Sequence, residues 1–363
     1  MTSKHRSYIT GPVVPELESG MRYPSNRFNC LPGVPSIESP FFEELFDPAD
    51  PRYTVALSLR ENGFAVIDFP DEQVEEMAER IKTALHSFYD WQNWDAGRGA
   101  DMRIMDAWEF NADVRRIACS EQIVDLLTYL YGRPAFPFQT LNFPVGTQQH
   151  YHTDSVHFSS FPERFMCGVW LALEDIGAEQ GPLVYYPSSH KWPIYTRQHI
   201  GIEYTEAGGR HQSTFEPMWE RLVESYGVEP QYFYPQKGQA LIWAANLLHG
   251  GMPHSNRHLT RWSQVTHYYF DDCLYYTPLA SNEPRGEYYQ RAPYDIRTGK
   301  ARPSTYMEKL INPADADLPS REIKVPTAFN IEKYLSHNPD VAAAGLDPWE
   351  HYKHYGYAEG RKW

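Results

Sequence analysis

The 363-residue chain is predicted to be mainly β, a sandwich or barrel of short strands with flanking helices, on three observations. From about residue 135 onward the sequence breaks into short β-rich, aromatic-rich runs parted by turn signals: FQTLNF, HYHTD, RFMCGVWLAL, GPLVYYP, GQALIWAANLLH and TRWSQVTHYYF. Few helical periods fall between them, which favours an all-β core over an alternating α/β one. Ahead of them helical spacing dominates, as suits helices that buttress a sheet.

Taken in order, residues 1–37 are rich in Pro, Gly and Ser without a period and read as an irregular arm. DPRYTVALSLRENG reads as a helix stopped at Gly63, and FAVIDF (64–69) as a strand. EQVEEMAERIKTALHSFYD (72–90) reads as a helix with Val74, Met77, Ile81 and Leu85 on one face. SEQIVDLLTYLYG (120–132) repeats that pattern between Ser120 as N-cap and Gly132 as stop. Residues 194–236 form a long insertion, in which Ser213 and Glu216 give a capping-box signature before a helix closed by Gly227. A loop of this length suits a lid or binding loop. Residues 329–363 read as three short helices, with Asn338-Pro339 and Asp347-Pro348 as starts and Gly345 and Gly356 as stops. The expected division is an arm over 1–37, a main domain over 38–327 with the insertion 194–236, and a small helical module over 328–363.

Hydrophobic residues at 42% and charged residues at 22% provide for a well-formed core and exclude disorder of the whole chain. A net charge of −14 argues against nucleic acid or an anionic membrane surface as partner, while leaving room for a local basic pocket around a small anion. Cys30, Cys119, Cys167 and Cys273 lie far apart without a C-x-x-C pair and read as buried free thiols. No apolar run approaches the ~18 residues of a membrane span, and the N-terminus lacks an apolar leader, so a cytoplasmic location is expected.

The stretch HYHTDSVH (150–157) holds three histidines and an aspartate. In a strand, residues two apart share a face, so His150, His152 and Asp154 could project together. His150-x-His152 would open a triple-histidine site, but such sites want a glutamate shortly after, where Ser155 and Val156 stand. The other pairing is His152-x-Asp154 completed by a distant histidine. Two imidazoles and a carboxylate on one face of an octahedral ion leave adjacent positions open, the arrangement suited to non-haem Fe(II) and oxygen. His249, at the end of GQALIWAANLLH and before Gly250-Gly251, is preferred over His254 and His258 in the following polar loop. Twelve residues on, Arg261 and Ser263 share a strand face, and a guanidinium fork beside a hydroxyl matches a carboxylate inside a barrel. Alone, Arg261 reads as an ordinary strand-end ion pair. Downstream of the triad it reads as a clamp.

Together these stretches, with NGFAVIDF, HTD, GVWLALED, GPLVYYPSSH, LLHGG and TRWSQVTHYYF, resemble the phytanoyl-CoA dioxygenase family over roughly residues 60–275. The resemblance implies a double-stranded β-helix (jelly roll, cupin-like) core with flanking α-helices. It implies Fe(II) held by His152, Asp154 and His249, with the distal carboxylate of 2-oxoglutarate on Arg261 and Ser263. O2 and 2-oxoglutarate would be consumed, succinate and CO2 released, and a C–H bond of a small molecule hydroxylated. Halogenation is disfavoured, because related halogenases lack the carboxylate that Asp154 supplies. From the family's use of the strand before the H-x-D pair, Asn142 is a candidate for a hydrogen bond to 2-oxoglutarate, with Gln139 nearby and Cys167 on the next strand. His150 is expected to pack or meet substrate, and His157 to be a supporting or a plain loop residue. The family's Gly-Ser-His is Ser-Ser-His here (188–190), which suggests a different local turn.

The NPDVAAAG…DP…HY…G…EGR pattern of the last 34 or so residues resembles a short repeat appended to bacterial glycosyltransferases and cell-surface proteins. That resemblance implies an association with glycans. The plainer reading is a docking cap packed through Tyr334, Trp349 and Tyr352. The expected substrate is a polar or carbohydrate-linked metabolite. The competing functions are a non-catalytic metal-binding jelly-roll sensor and a glycan-binding protein.

Overall fold

The structure, a computed structural model, describes residues 31–98, 102–202, 211–321, 330–356 and 361. Helices come first: α1 (Phe42–Leu45), α2 (Tyr53–Asn62), α3 (Val74–Leu85), α4 (Trp91–Asp95), α5 (Ala112–Ala118) and α6 (Glu121–Tyr131). Gly63 and Gly132 end α2 and α6 in the left-handed conformation, where a side chain would be strained. The helix expected over 72–90 is shorter. A 3-10 turn at His86–Phe88 follows α3, and Asp90 then accepts the Asn93 N–H to start α4. Ser120 stands at the N-cap of α6, but its hydroxyl turns to Gln122 and makes no cap bond.

The core strands are β1 (Phe64–Asp68), β2 (Ile104–Met105), β3 (Ala135–Phe143), β4 (Ser159–Phe161), β5 (Met166–Ala172), β6 (Leu183–Tyr185), β7 (Gln231–Phe233), β8 (Gln239–Ala244), β9 (His249–Gly251), β10 (Ser263–Phe270) and β11 (Leu274–Tyr276). Six of them lie side by side in the antiparallel order β1-β8-β5-β10-β3-β2, and β7-β6-β9 form a second sheet. β5 and β10 are buried along their whole length because both faces are covered. On one face Gln264 donates to the Val114 carbonyl and the Tyr268 hydroxyl to that of Ala118, both on α5. On the other, Val265 packs with Trp170, Leu241, Tyr185 and Phe233 between the two sheets. Two antiparallel sheets closed on a common interior, with helices outside, make the expected jelly roll.

Several local expectations change. HYHTD is not a strand: His152 makes one bridge to His249, and a 3-10 turn starts at Asp154. The Ser155 N–H goes to Ala245 and the His157 N–H back to Asp154, which bends the chain out of any ladder. In the insertion, Ser213 sits inside a 3-10 turn (Gln212–Thr214), so no capping box forms. α7 (Glu216–Tyr226) begins behind Phe215 with Pro217 in its first turn and ends at Gly227. The insertion's final strand, β7, belongs to the second sheet, while residues 203–210 lie outside the described residues. Ser188 adopts φ 65°, the left-handed form that glycine favours.

At the C-terminal end, α8 (Ile331–His337), α9 (Pro339–Ala343) and α10 (Pro348–His351) follow. Asp347 accepts from the Glu350 N–H as expected, whereas Asn338 donates its side-chain amide to the Tyr334 carbonyl and caps nothing. Tyr334, Trp349 and Tyr352 are buried in one cluster with Val341 and with Ala112 of α5. Rings buried in this way have no face left for a sugar. No described helix is long and apolar enough to cross a membrane.

Candidate active site

His152 and His249 are brought together by the backbone, each donating its N–H to the other's carbonyl at 2.7 and 2.9 Å. The chain at Gln149–Tyr151 runs so close to β9 that a Cβ on Gly250 would come within 2.9 Å of its backbone, which accounts for the glycine after His249. The 3-10 turn swings Asp154 toward the same point. His152 Nε2 lies 3.8 Å from Asp154 Oδ1, and His249 Nε2 lies 3.9 Å from Asp154 Oδ2. One ligand atom from each of the three lies within 4.8 Å of the others.

The protonation states suit a metal. His152 Nδ1–H donates to the His150 carbonyl and His249 Nδ1–H to that of Leu247, leaving both Nε2 lone pairs toward the cluster. Burial, followed by the neighbouring His249, pushes the His152 pKa down and keeps that ring neutral. Burial alone would raise the Asp154 pKa, but His249, His267 and His152 around it and the indole N–H of Trp243 outweigh that and keep it ionised. Trp243 donates to Asp154 Oδ2 at 2.8 Å. Two neutral imidazoles and a carboxylate are a fitting donor set for a divalent iron.

These residues open into a cavity of about 240 Å³ whose far part is walled by Phe143, Trp170, Tyr185, Leu241 and Val265. Arg261 lies in that wall, 1% exposed. It donates to the Gly181 carbonyl at 2.8 Å and stands 5.5 Å from the Trp170 ring, yet its Nε has no partner and no described carboxylate pairs with it. Burial lowers its pKa to about 10, so it stays charged at neutral pH. A buried cation with no described acidic partner, in the same cavity as a metal-ligand cluster, has the charge and hydrogen-bonding capacity to receive a carboxylate.

No curated protein matches the chain. The phytanoyl-CoA dioxygenase (PhyH) family matches it over residues 59–261. The chain belongs to the phytanoyl-CoA dioxygenase family. It is an Fe(II)- and 2-oxoglutarate-dependent dioxygenase. Solved structures with a similar course include the epimerase SnoN from nogalamycin biosynthesis (20% identity, 63% of this chain and 86% of that one, TM-score 0.45). Another is EctD from S. alaskensis with 2-oxoglutarate and 5-hydroxyectoine (15%, 68% and 87%, 0.49). A third is AviO1 from Streptomyces viridochromogenes Tue57 (17%, 61% and 95%, 0.44).

Within this phytanoyl-CoA dioxygenase fold the remaining residues divide by face. Gln139 lines the cavity and accepts from His267 Nδ1–H at 3.1 Å. Asn142 does not line it, because its side chain leaves the other face of β3 to donate to Gln264 Oε1. Cys167 likewise packs among the residues under the helices. Ser263 is on the interior face beside Phe143, fully buried with an unpartnered hydroxyl, although it forms no part of the cavity wall. His150 turns away to Glu220 on α7 at 3.1 Å, and His157 donates to Gln212 at 2.9 Å, so the two outer histidines of the octapeptide hold the insertion.

Sequence reasoning missed His267 and Trp243. His267 Nε2 lies 3.7 Å from Asp154 Oδ2, buried in the cavity wall. Counting by twos from Arg261 through Ser263 and Val265 would have reached it. Trp243 is paired with Gly168 on β5, where any Cβ would collide with the indole, so the glycine makes room for the ring that steadies Asp154. No local pattern announces that pair.

Proposed function

We propose that His152, Asp154 and His249 ligate the Fe(II), that Arg261, with Ser263 beside it, receives the distal carboxylate of 2-oxoglutarate, and that the enzyme hydroxylates a C–H bond of a small polar or carbohydrate-linked metabolite. The observation that carries the reading is buried Arg261, with no acidic partner among the described residues, lining the same cavity as three convergent ligand residues. When bound, iron and 2-oxoglutarate supply the oxidising chemistry, in which O2 and the cosubstrate give succinate and CO2 as one oxygen atom enters the C–H bond.

The chain's own part is placement and exclusion. Backbone carbonyls fix the tautomers of His152 and His249, and Trp243 occupies Asp154 Oδ2 so that Oδ1 is left for the metal. The apolar slot keeps water from the cosubstrate. Polar groups at the other side of the cavity, Gln139, Gln149, Gln212 and His157, favour a substrate with hydroxyl or amide groups. Residues 38–327 form the catalytic domain on this reading, and the buried thiols of Cys119, Cys167 and Cys273 accord with a cytoplasmic setting. A sensor or glycan-binding protein is not favoured, because neither needs a carboxylate receptor facing a metal site.

Anaerobic addition of Fe(II) and 2-oxoglutarate should produce a weak metal-to-ligand band in the visible. It should vanish in His152→Ala and Asp154→Ala. No band in the wild-type protein would overturn the proposal.

A further inference from the structure

We infer that the substrate carries an oxyanion, a carboxylate or a phosphate, and that Arg103, assisted by Arg291, recognises it. The inference rests on the iron and 2-oxoglutarate reading above. Among the described residues Asp154 is the one carboxylate-bearing residue lining the cavity, which two arginines, Arg261 and Arg103, also line. With the site loaded, the charges of Fe(II) and Arg261 are balanced by Asp154 and the two carboxylates of 2-oxoglutarate. Arg103 is then left over.

Acidic residues outnumber basic ones by 47 to 33, and Arg80, Arg116, Arg297, Arg302 and Arg321 each hold a carboxylate. Arg103 precedes edge strand β2, is exposed, and makes no hydrogen bond or ion pair with any described residue. Met105, two residues on, lines the same cavity, so this edge of the sheet faces the pocket rather than bulk solvent alone.

Arg291 approaches through another wall. Its guanidinium carbon lies 4.8 Å from the ring centre of Phe158, a cavity residue, and its Nη1 donates to Thr277 Oγ1 at 3.1 Å. Its Nε is buried without a partner, and no described carboxylate neutralises it. Two cations around a cavity, neither neutralised by a described carboxylate, attract and orient an anion, and a planar fork suits carboxylate and phosphate alike.

The test uses the full chain loaded anaerobically with Fe(II) and 2-oxoglutarate, followed by the visible band and, after admitting O2, by succinate release. The probes are matched pairs: a hexose phosphate against the free hexose, and an N-acyl amino acid against its carboxamide. The charged member of at least one pair should shift the band and raise succinate release, its neutral partner should not, and whichever pair responds tells phosphate from carboxylate. Arg103→Glu should raise KM for that probe roughly tenfold or more with kcat much less affected, and Arg103→Lys should recover most of the loss. Arg291→Gln should act in the same direction, more weakly. Equal responses within each pair overturn the inference, as does silence from every anion in protein that shows the band. So does an Arg103→Glu effect confined to the 2-oxoglutarate dependence of the band. Absence of the band from the start would instead remove the underlying reading.

Discussion

The two ends of the pocket are built on opposite plans. At the metal end every group already has its partner: His152 and His249 each donate to a carbonyl, Asp154 accepts from Trp243, and His267 is held by Gln139. At the other end Arg261 is buried with one carbonyl for company and an idle Nε, and the hydroxyl of Ser263 is idle too. Here the ligands are gathered ahead of any metal, which spares binding the ordering cost of bringing His249 to His152 and Asp154. A carboxylate receptor can be left unsatisfied, since the ligand itself supplies the missing hydrogen bonds and the missing charge. On the proposed reading, the cost of burying Arg261 alone is recovered when 2-oxoglutarate binds.

The comparison is broken or upheld first at the unsatisfied end. Arg261→Met removes a buried cation that has no acid partner among the described residues, so the ligand-free protein should keep its folding stability within about 1 kcal/mol. Binding of 2-oxoglutarate should weaken by about 100-fold, in line with the loss of one side of a buried charged pair. Chemical denaturation and the cosubstrate dependence of the visible band measure the two. A variant that unfolds readily, yet binds the cosubstrate normally, would mean that Arg261 is structural.

At the satisfied end the effect should be smaller and should fall on the metal. Trp243→Phe keeps the ring volume and deletes the N–H that occupies Asp154 Oδ2. Fe(II) affinity should drop by about 10-fold to 100-fold, with 2-oxoglutarate affinity at saturating iron little altered. Gly168→Ala, which forces the same indole aside, should reproduce that pattern without touching any polar group. If both variants bind iron as the wild type does, Trp243 is packing and nothing more.

How much of this was legible depends on where the information lies along the chain. His152, Asp154 and His249 could be read because H-x-D and a histidine before a Gly-Gly turn are local signals, even though the strand geometry invoked for HYHTD was wrong and the true positioning device is one backbone bridge and a 3-10 turn. The place of Arg261 in the cavity wall was legible through its spacing after His249 and through its strand face. Asn142 and Cys167 were misplaced by a single step of alternation, since a one-residue difference in phase moves a side chain from the cavity to the helix side. Gln139 was on the right phase. Trp243 and Gly168 were out of reach because their meaning comes from the register of β8 against β5, which no contiguous stretch encodes. Ser213 shows the converse. The capping motif was present, but a 3-10 turn had already committed its backbone.

The smallest expected effect sharpens the comparison by relieving an unfavourable feature that serves neither end. Ser188 sits at φ 65° ahead of the buried His190, where an L side chain crowds its own backbone and glycine does not. Its hydroxyl recovers part of the cost by donating to the Glu61 carbonyl at 2.8 Å, and glycine also loses more chain entropy on folding. Ser188→Gly should therefore raise stability by no more than about 1 kcal/mol, measured as a rise in Tm of the ligand-free protein. Fe(II) and 2-oxoglutarate binding should be unchanged, because Ser188 takes no part in the cavity wall. A gain in stability here without loss of binding, set against a loss of binding at Arg261 without loss of stability, would separate strain that is merely tolerated from an unsatisfied charge that the reaction requires.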